Sequence, residues 1–306
     1  MSGNTAPQGR ASYRTVGFAL AILGVLSFSI RPLLVKLAYA YAEDPVTLLA
    51  LRMVFSLPFF VFAAWWVQRG KTLTPISIRD RWAIVGLGVI GYYAASFFDY
   101  LSLQYISSGL SRLIHFMYPT IVVLLSWFFL RKPPRSVEIT ALLLTYAGMT
   151  LMLMHSAAGQ HEFLALGATL AFGSATSYAI YLFAGSQVIQ RVGSMRFVAY
   201  ALLVSSFCCI LQFFLLRPLD ALMIPFPVYG LSIIIAVVCT VLPIFVIAEA
   251  LRRLDANSVA IVGALGPVSA MLLGYLGLDE MMNGYQMVGA MLVLVGVVMV
   301  TLKPKS

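Results

Sequence analysis

Long apolar runs alternate with short polar breaks along almost the whole chain. Within the runs the apolar character is continuous: VVLLSWFFL and MLVLVGVVMV lack the polar residue at every second position that a membrane β-barrel strand requires. A helix needs about 20 predominantly apolar residues to cross the hydrocarbon layer. The pattern predicts ten such helices, at 16–37, 46–67, 82–104, 108–130, 138–155, 163–189, 197–216, 226–251, 257–277 and 284–302, after a tail of residues 1–15. The expected fold class is therefore an all-α integral membrane protein with ten transmembrane helices. The first run is too long for the apolar core of a secretory signal and ends in RPLLVKLAYAYAED without a small-residue cleavage site, so it counts as a span.

Composition agrees. Of 306 residues, 61% are hydrophobic and 10% charged, and the mean hydropathy is +0.95, more apolar surface than a soluble core can hide. The net charge of +9 raises the question of a nucleic-acid partner, but its distribution answers it. Arg10, Arg14, Arg69, Lys71, Arg79, Arg81, Arg131, Lys132, Arg135, Arg191, Arg196, Arg252, Arg253, Lys303 and Lys305 fall in one alternate set of connections, whereas the other set has Arg217, with Lys36 at its border. That is the positive-inside asymmetry, which puts both termini in the cytoplasm and leaves no role for nucleic acid. The cysteines Cys208, Cys209 and Cys239 lie inside apolar runs, without metal-ligand or paired spacing.

A displacement of 148 positions lays Pro119 on Pro267 and Gly148 on Gly296, and superimposes LSLQYISSGLSRLIHFMYP on EALRRLDANSVAIVGALGP. The expectation is an internal duplication, residues 16–155 and 163–303, with five spans in each half. Five is odd, so the second copy is inverted relative to the first, the plan common among secondary transporters.

The segment LGLDEMMNGYQMVGAMLVLVGVVMV resembles the end of an EamA repeat, in which a Gly-rich turn with an acidic residue precedes a Gly-patterned last helix. Two such repeats are similar to the drug/metabolite transporter superfamily over nearly the whole chain. The first repeat departs from the pattern, with LRKPPRSVEI where the acidic turn is expected. The resemblance implies a multi-pass protein of a bacterial inner membrane whose relatives export amino acids and other small metabolites, expel drugs, or exchange sugar phosphates and nucleotide sugars.

Ionisable residues inside spans are costly, and tend to face a partner or a water-filled cavity. Arg31, Arg52, Asp99 and Arg112 fall at one expected depth toward the external side, and Glu249 falls toward the cytoplasmic end. Helical spacing puts Ser108, Ser111 or Arg112, His115, and Tyr118 or Pro119 on one stripe, Tyr92, Ser96 and Asp99 on a second, and Ser174, Ser177 or Tyr178, and Tyr181 on a third. Three arginines against one aspartate leave a positive surplus suited to an anion, carboxylate or phosphate. Arg112 is the leading anion-binding candidate, with Arg31, Arg52, Tyr92, Ser96, Ser111, Tyr118, Tyr178 and Tyr181 beside it. For Arg52 the alternative is an interfacial position, snorkelling to the outer surface.

His115, Asp99 and Glu249 are candidates for proton coupling or gating, and the spacing of Glu249 to Arg253 suits an intrahelical ion pair. Pro119 and Pro267 predict kinks at equivalent places in the two repeats. Gly148, Gly289 and Gly296 permit close helix packing, within the chain or along a homodimer seam through the last helix of each repeat. No HExxH, GxSxG or Walker sequence appears, so neither an enzyme nor a cofactor or metal site is expected. The partners expected are the bilayer and a small-molecule substrate. Proton coupling, exchange and facilitated movement are equally compatible with the sequence.

Overall fold

The computed structural model describes residues 6–41, 44–69, 75–106, 111, 114–153, 163–263, 265, 266, 268, 269 and 284–302, and no strand occurs among them. The chain opens with α1 (Ala6–Ser29) and α2 (Arg31–Tyr39), which meet at a break on Ile30. Pro32 stands in the first turn of α2, where a missing N–H leaves no hydrogen bond unmade. Helix α3 (Pro45–Gln68) is capped by Asp44, whose carboxylate accepts from the backbone N–H groups of Val46 and Thr47 at 3.3 and 3.1 Å. Helix α4 (Ile78–Leu87) passes through a π-helical segment, Gly88–Ala94, into α5 (Ala95–Tyr105).

Helices α6 (Tyr118–Leu130) and α7 (Ser136–Leu153) follow, then α8 (Leu164–Val192), α9 (Ser194–Leu216) and a 3-10 turn at Leu219–Leu222. Next, α10 (Phe226–Ala236) leads through a second π-helical segment, Val237–Val241, into α11 (Leu242–Arg253). Helices α12 (Ala256–Val262) and α13 (Gly284–Leu302) complete the described elements.

Among the described residues, six helical stretches are long and apolar enough to cross a membrane: Tyr13–Tyr39, Pro45–Gln68, Ile78–Tyr105, Leu164–Val192, Ser194–Leu216 and Phe226–Arg253. At 1.5 Å per residue each exceeds the roughly 30 Å hydrocarbon thickness. Shorter apolar helices stand at Tyr118–Leu130, Ser136–Leu151 and Met287–Met299. The ninth expected span is described only in α12 and the few residues just beyond it. The bundle exposes apolar side chains and turns many of its polar ones inward, into a largely apolar core: Phe128, Leu215 and Trp66 are exposed, while Ser56, Thr145 and Ser102 are fully buried and hydrogen-bonded. Lipid favours that arrangement, since apolar side chains meet acyl chains without penalty and polar ones find partners inside.

The two halves repeat one plan. The π-helical segments fall at matching positions under the 148-residue displacement. The main helix contacts also exchange correctly: α3 packs on its counterpart α9 and α7 on its counterpart α13, while α1 against α11 is mirrored by α8 against α5. The α7–α13 seam shows the symmetry at atomic scale. A Cβ on Gly296 would lie 2.9 Å from the carbonyl oxygen of Ala141, and one on Gly148 would run into that of Gly289, the residue equivalent to Ala141. The glycine positions expected to permit close packing are thus used within the chain.

Pro119 does not kink a continuous helix. The helical turn at Ile114–His115 gives way at Phe116–Met117, and Pro119 occupies the first turn of α6, where proline is tolerated without breaking a hydrogen bond. Its repeat partner, Pro267, lies outside the described residues.

Candidate functional site

A cavity of about 90 Å³ sits in the middle of the bundle. The break between α1 and α2 delivers Phe28, Ser29 and Arg31 to its wall, α3 delivers Arg52 and Met53, and the first π-helical segment delivers Gly91 and Tyr92. Ser96 follows on α5, His115, Phe116 and Tyr118 come from the segment leading into α6, and Ser174 and Tyr178 from α8. The second repeat closes the site with Thr240 of its π-helical segment and the apolar side chains Ile244 and Ile247. A π-helical turn carries one extra residue per hydrogen-bonded ring and shifts the side-chain register, a device that often marks functional positions. Here both such segments reach the same cavity.

Arg31 and Asp99 form a buried ion pair, with 8% and 3% of each residue exposed. The Arg31 guanidinium also lies 5.0 Å from the centre of the Phe28 ring. Arg52 is more deeply buried, at 2% exposed. Its guanidinium stands 5.2 Å from the centre of the Tyr100 ring, and its Nε has no hydrogen-bond partner among the described residues. Nor does any described carboxylate reach it within ion-pair distance, in contrast to Arg31. The snorkelling alternative for Arg52 is thereby overturned, because α3 turns this side chain into the bundle against α5.

The aromatic candidates divide. Tyr118 packs edge-on against Tyr178 at 5.1 Å and donates its hydroxyl to the Ala260 carbonyl at 3.0 Å. A Cβ on Gly263 would collide with that hydroxyl, so only glycine lets the contact form. Tyr92 donates to the Tyr181 hydroxyl at 2.6 Å, their rings 4.6 Å apart, which puts Tyr181 behind the wall. The His115 ring lies 5.7 Å from those of Tyr118 and Tyr178, and its Nδ1 is 3.4 Å from the Ser174 hydroxyl. Ser111 is buried 3.3 Å from the Ser102 hydroxyl and is not part of the cavity wall. Arg112 lies outside the described residues.

Glu249 belongs to a different place. It pairs with Arg253, as its spacing suggests, and with Arg252 at 2.7 Å, and it accepts from the Ser194 hydroxyl. This cluster borders a separate apolar groove that includes Phe59, Phe62 and Phe245. Further ion pairs tie the repeats together at both ends of the bundle. Asp44, before α3, is held by Arg217 after α9 through two hydrogen bonds of 2.9 Å. At the other end of α3, Asp80 of α4 accepts from Arg191 of α8 at 2.6 and 3.0 Å.

The stripes on three spans were legible as i, i+3/4 patterns, and part of each lines the cavity: Tyr92 and Ser96, His115 and Tyr118, and Ser174 and Tyr178, but not Asp99, Ser111 or Tyr181, while Ser108 lies outside the described residues. The contributions of Phe28, Gly91, Thr240 and Gly263 were missed, since an apolar or small residue on a cavity wall looks like any other in a hydrophobic helix. Equivalence to Tyr92 under the 148-residue displacement is the one signal that singles out Thr240.

The model of the EamA-like transporter family matches residues 15–154 and again residues 165–302. The chain belongs to the EamA-like transporter family. Membership makes it a multi-pass membrane transporter in two repeats, consistent with the drug/metabolite transporter superfamily. Two relatives carry the same general description. The uncharacterized transporter YcbK of Bacillus subtilis is 24% identical over 288 residues, covering 92% of this chain and 91% of that protein. The uncharacterized transporter sll1319 of Synechocystis is 20% identical over 300 residues, with 91% of each covered. A solved crystal structure, 18% identical, matches with a TM-score of 0.75 over 94% of this chain and 96% of its own, which shows a shared fold.

Proposed function

We propose that this EamA-family protein is a secondary transporter that exports amino acids or related small carboxylate-bearing metabolites by alternating access. Its two five-helix repeats, residues 16–155 and 163–303, would lie in opposite orientations in a bacterial inner membrane, with both termini in the cytoplasm. The observation that carries the proposal is the central cavity between the repeats, walled by aromatic side chains and two buried arginines. Such a site takes a small solute with an anionic group and an apolar part. Its volume of about 90 Å³ is several times the roughly 10–15 Å³ that admits one water, and so suits a small solute. The inter-repeat pairs Asp44–Arg217 and Asp80–Arg191 stand where alternating access needs contacts that form and break.

The test is counterflow in vesicles reconstituted with the full chain. Unlabelled amino acid on one side should accelerate movement of labelled amino acid from the other. Equal fluxes with and without the opposing solute would sink the carrier mechanism, because a pore shows no such acceleration. Repeating the measurement under an imposed pH gradient separates proton-coupled movement from exchange.

A further inference from the structure

We infer that Arg52 is the anchor for a single carboxylate, and that the cavity selects compact apolar monocarboxylates, zwitterionic or not, over phosphate monoesters. The inference rests on the carrier proposed above and narrows its cargo.

Charge accounting comes first. Of the two described arginines on the cavity wall, Arg31 is already paired with Asp99. Arg52 is 2% exposed, its Nε is unsatisfied, and no described carboxylate pairs with it. A guanidinium stripped of water and left without an anion is costly, and a carboxylate can restore two hydrogen bonds at once in the planar fork geometry. Tyr100 supports the group from behind through its ring face, and the Tyr100 carbonyl in turn accepts from the Tyr39 hydroxyl at 2.9 Å. The guanidinium is held in place by its own wall and left open toward the cavity.

Among the described residues, one guanidinium without a carboxylate partner matches one negative charge. A phosphate monoester carries about −1.5 to −2 near neutrality, so its second charge would enter a desolvated site with no second carboxylate-free guanidinium among the described residues to meet it, His115 being the other described wall side chain that can carry a positive charge. The only other described guanidinium in the wall, that of Arg31, would have to be drawn away from its ion pair with Asp99. The remaining surface favours an apolar body: Phe28, Phe116, Ile244 and Ile247 face the same space, which is sized for a solute of few non-hydrogen atoms.

The experiment uses four probes that share one branched apolar body: leucine, 4-methylpentanoate, 4-methylpentanamide and 3-methylbutyl phosphate. Each is tested for trans-acceleration in vesicles carrying the full chain, as the parent and as Arg52→Gln and Arg52→Lys, with monodispersity of each purified variant checked beforehand. The expected result is exchange of one or both carboxylates by the parent, with little exchange of the amide or the phosphate ester. Arg52→Gln should lower carboxylate exchange about 30-fold or more, the low end of the effect of removing one member of a buried charge pair. Arg52→Lys, which keeps the charge and loses the fork, should retain an intermediate rate. Preference for the phosphate ester, equal exchange of amide and carboxylate, or undiminished exchange by monodisperse Arg52→Gln would each overturn the inference and leave the carrier standing. Absence of trans-acceleration for these probes and for every amino acid in the counterflow screen would overturn the carrier itself. Should Arg52→Gln fail to fold, the parent's ranking of the four probes still decides the matter.

Discussion

Helices α3 and α9 hold equivalent places in the two repeats and pack against each other, yet α3 carries Arg52 where α9 carries Tyr200. The same displacement pairs Arg31 with Ala179, Ser96 with Ile244 and Asp99 with Ile247. Backbone plan, π-helical segments and the glycine seam are shared, whereas among the described residues the buried charges fall in the first repeat. The second repeat supplies uncharged wall, with the hydroxyls of Ser174, Tyr178 and Thr240 beside the apolar Ile244 and Ile247. Shared positions therefore explain how the bundle is built, and the departures between copies show where chemistry was placed on it.

If that division is right, substitutions at unshared charges should hurt far more than at their counterparts. Asp99→Asn leaves Arg31 and Arg52 both buried without an anion and should destabilise the purified protein by about 3–5 kcal/mol. Ile247→Val at the equivalent position should cost about 0.5–1.5 kcal/mol. Thermal or denaturant unfolding in detergent measures both, and comparable losses would erase the contrast. The double substitution Arg31→Met with Asp99→Leu should regain most of the stability, since a buried pair is often replaceable by apolar packing.

Shared positions should behave in the opposite way. Gly148→Leu and Gly296→Leu each push a side chain into the facing backbone across the α7–α13 seam. Overpacking of this kind costs typically 1–3 kcal/mol, and the two variants should lose similar amounts. Tolerance of one beside collapse of the other would show that the seam is less symmetric than its geometry suggests.

How much of this was readable beforehand follows the same line. Spans expected at 46–67 and 226–251 appear as Pro45–Gln68 and Phe226–Arg253, because continuous apolar length is a local property. The three polar stripes were readable too, since helical spacing is local. Partner choice is not: nothing in the sequence decides that Asp99 takes Arg31 and leaves Arg52 open, since both arginines were expected at one depth. The π-helical segments were equally invisible, Gly88 and Gly91 being their sole trace in the first repeat. A Cβ at Gly88 would stand 2.6 Å from the Ala201 carbonyl oxygen, a constraint set by a helix more than a hundred positions away. Pro119 was placed in a helix interior because apolar length runs through it, although the break at Phe116–Met117 puts it at a helix start.

The π-helical segments offer a smaller contrast. Tyr92 of the first spends its hydroxyl on Tyr181 of the other repeat, while its counterpart Thr240 donates to Ile235 on its own helical stretch at 2.9 Å. Tyr92→Phe and Thr240→Val should each lower stability by about 0.5–1.5 kcal/mol. In a double-mutant cycle Tyr92→Phe should couple to Tyr181→Phe, and Thr240→Val should not. Coupling in both cycles would mean that the second segment also communicates across the repeats.

The smallest effect lies at the end of the bundle. Arg217 and its counterpart Arg69 follow equivalent helices, but Arg217 grips Asp44 while Arg69 lies 3.7 Å over the Trp65 ring. Burial alone would raise the Asp44 carboxyl, yet the hydrogen bonds from Arg217 and Thr47 outweigh it and hold the group below its ordinary value. A depressed carboxylate stabilises the fold above its unfolded value of about 3.9 and loses that contribution as pH falls through its folded value. Asp44→Asn keeps a good helix cap, so it isolates the ion pair. Both partners are partly exposed, with 39% and 26% of the Arg217 and Asp44 side chains accessible, which limits the loss at neutral pH to about 1 kcal/mol or less. The gap between parent and variant should close as pH drops below about 4. Arg69→Gln removes a cation–π contact of similar size that involves no carboxylate, so its deficit should stay constant over the same range. A pH-independent Asp44→Asn deficit would transfer the effect from the ion pair to the cap, and the two ends of α3 and α9 would then differ in packing rather than in charge.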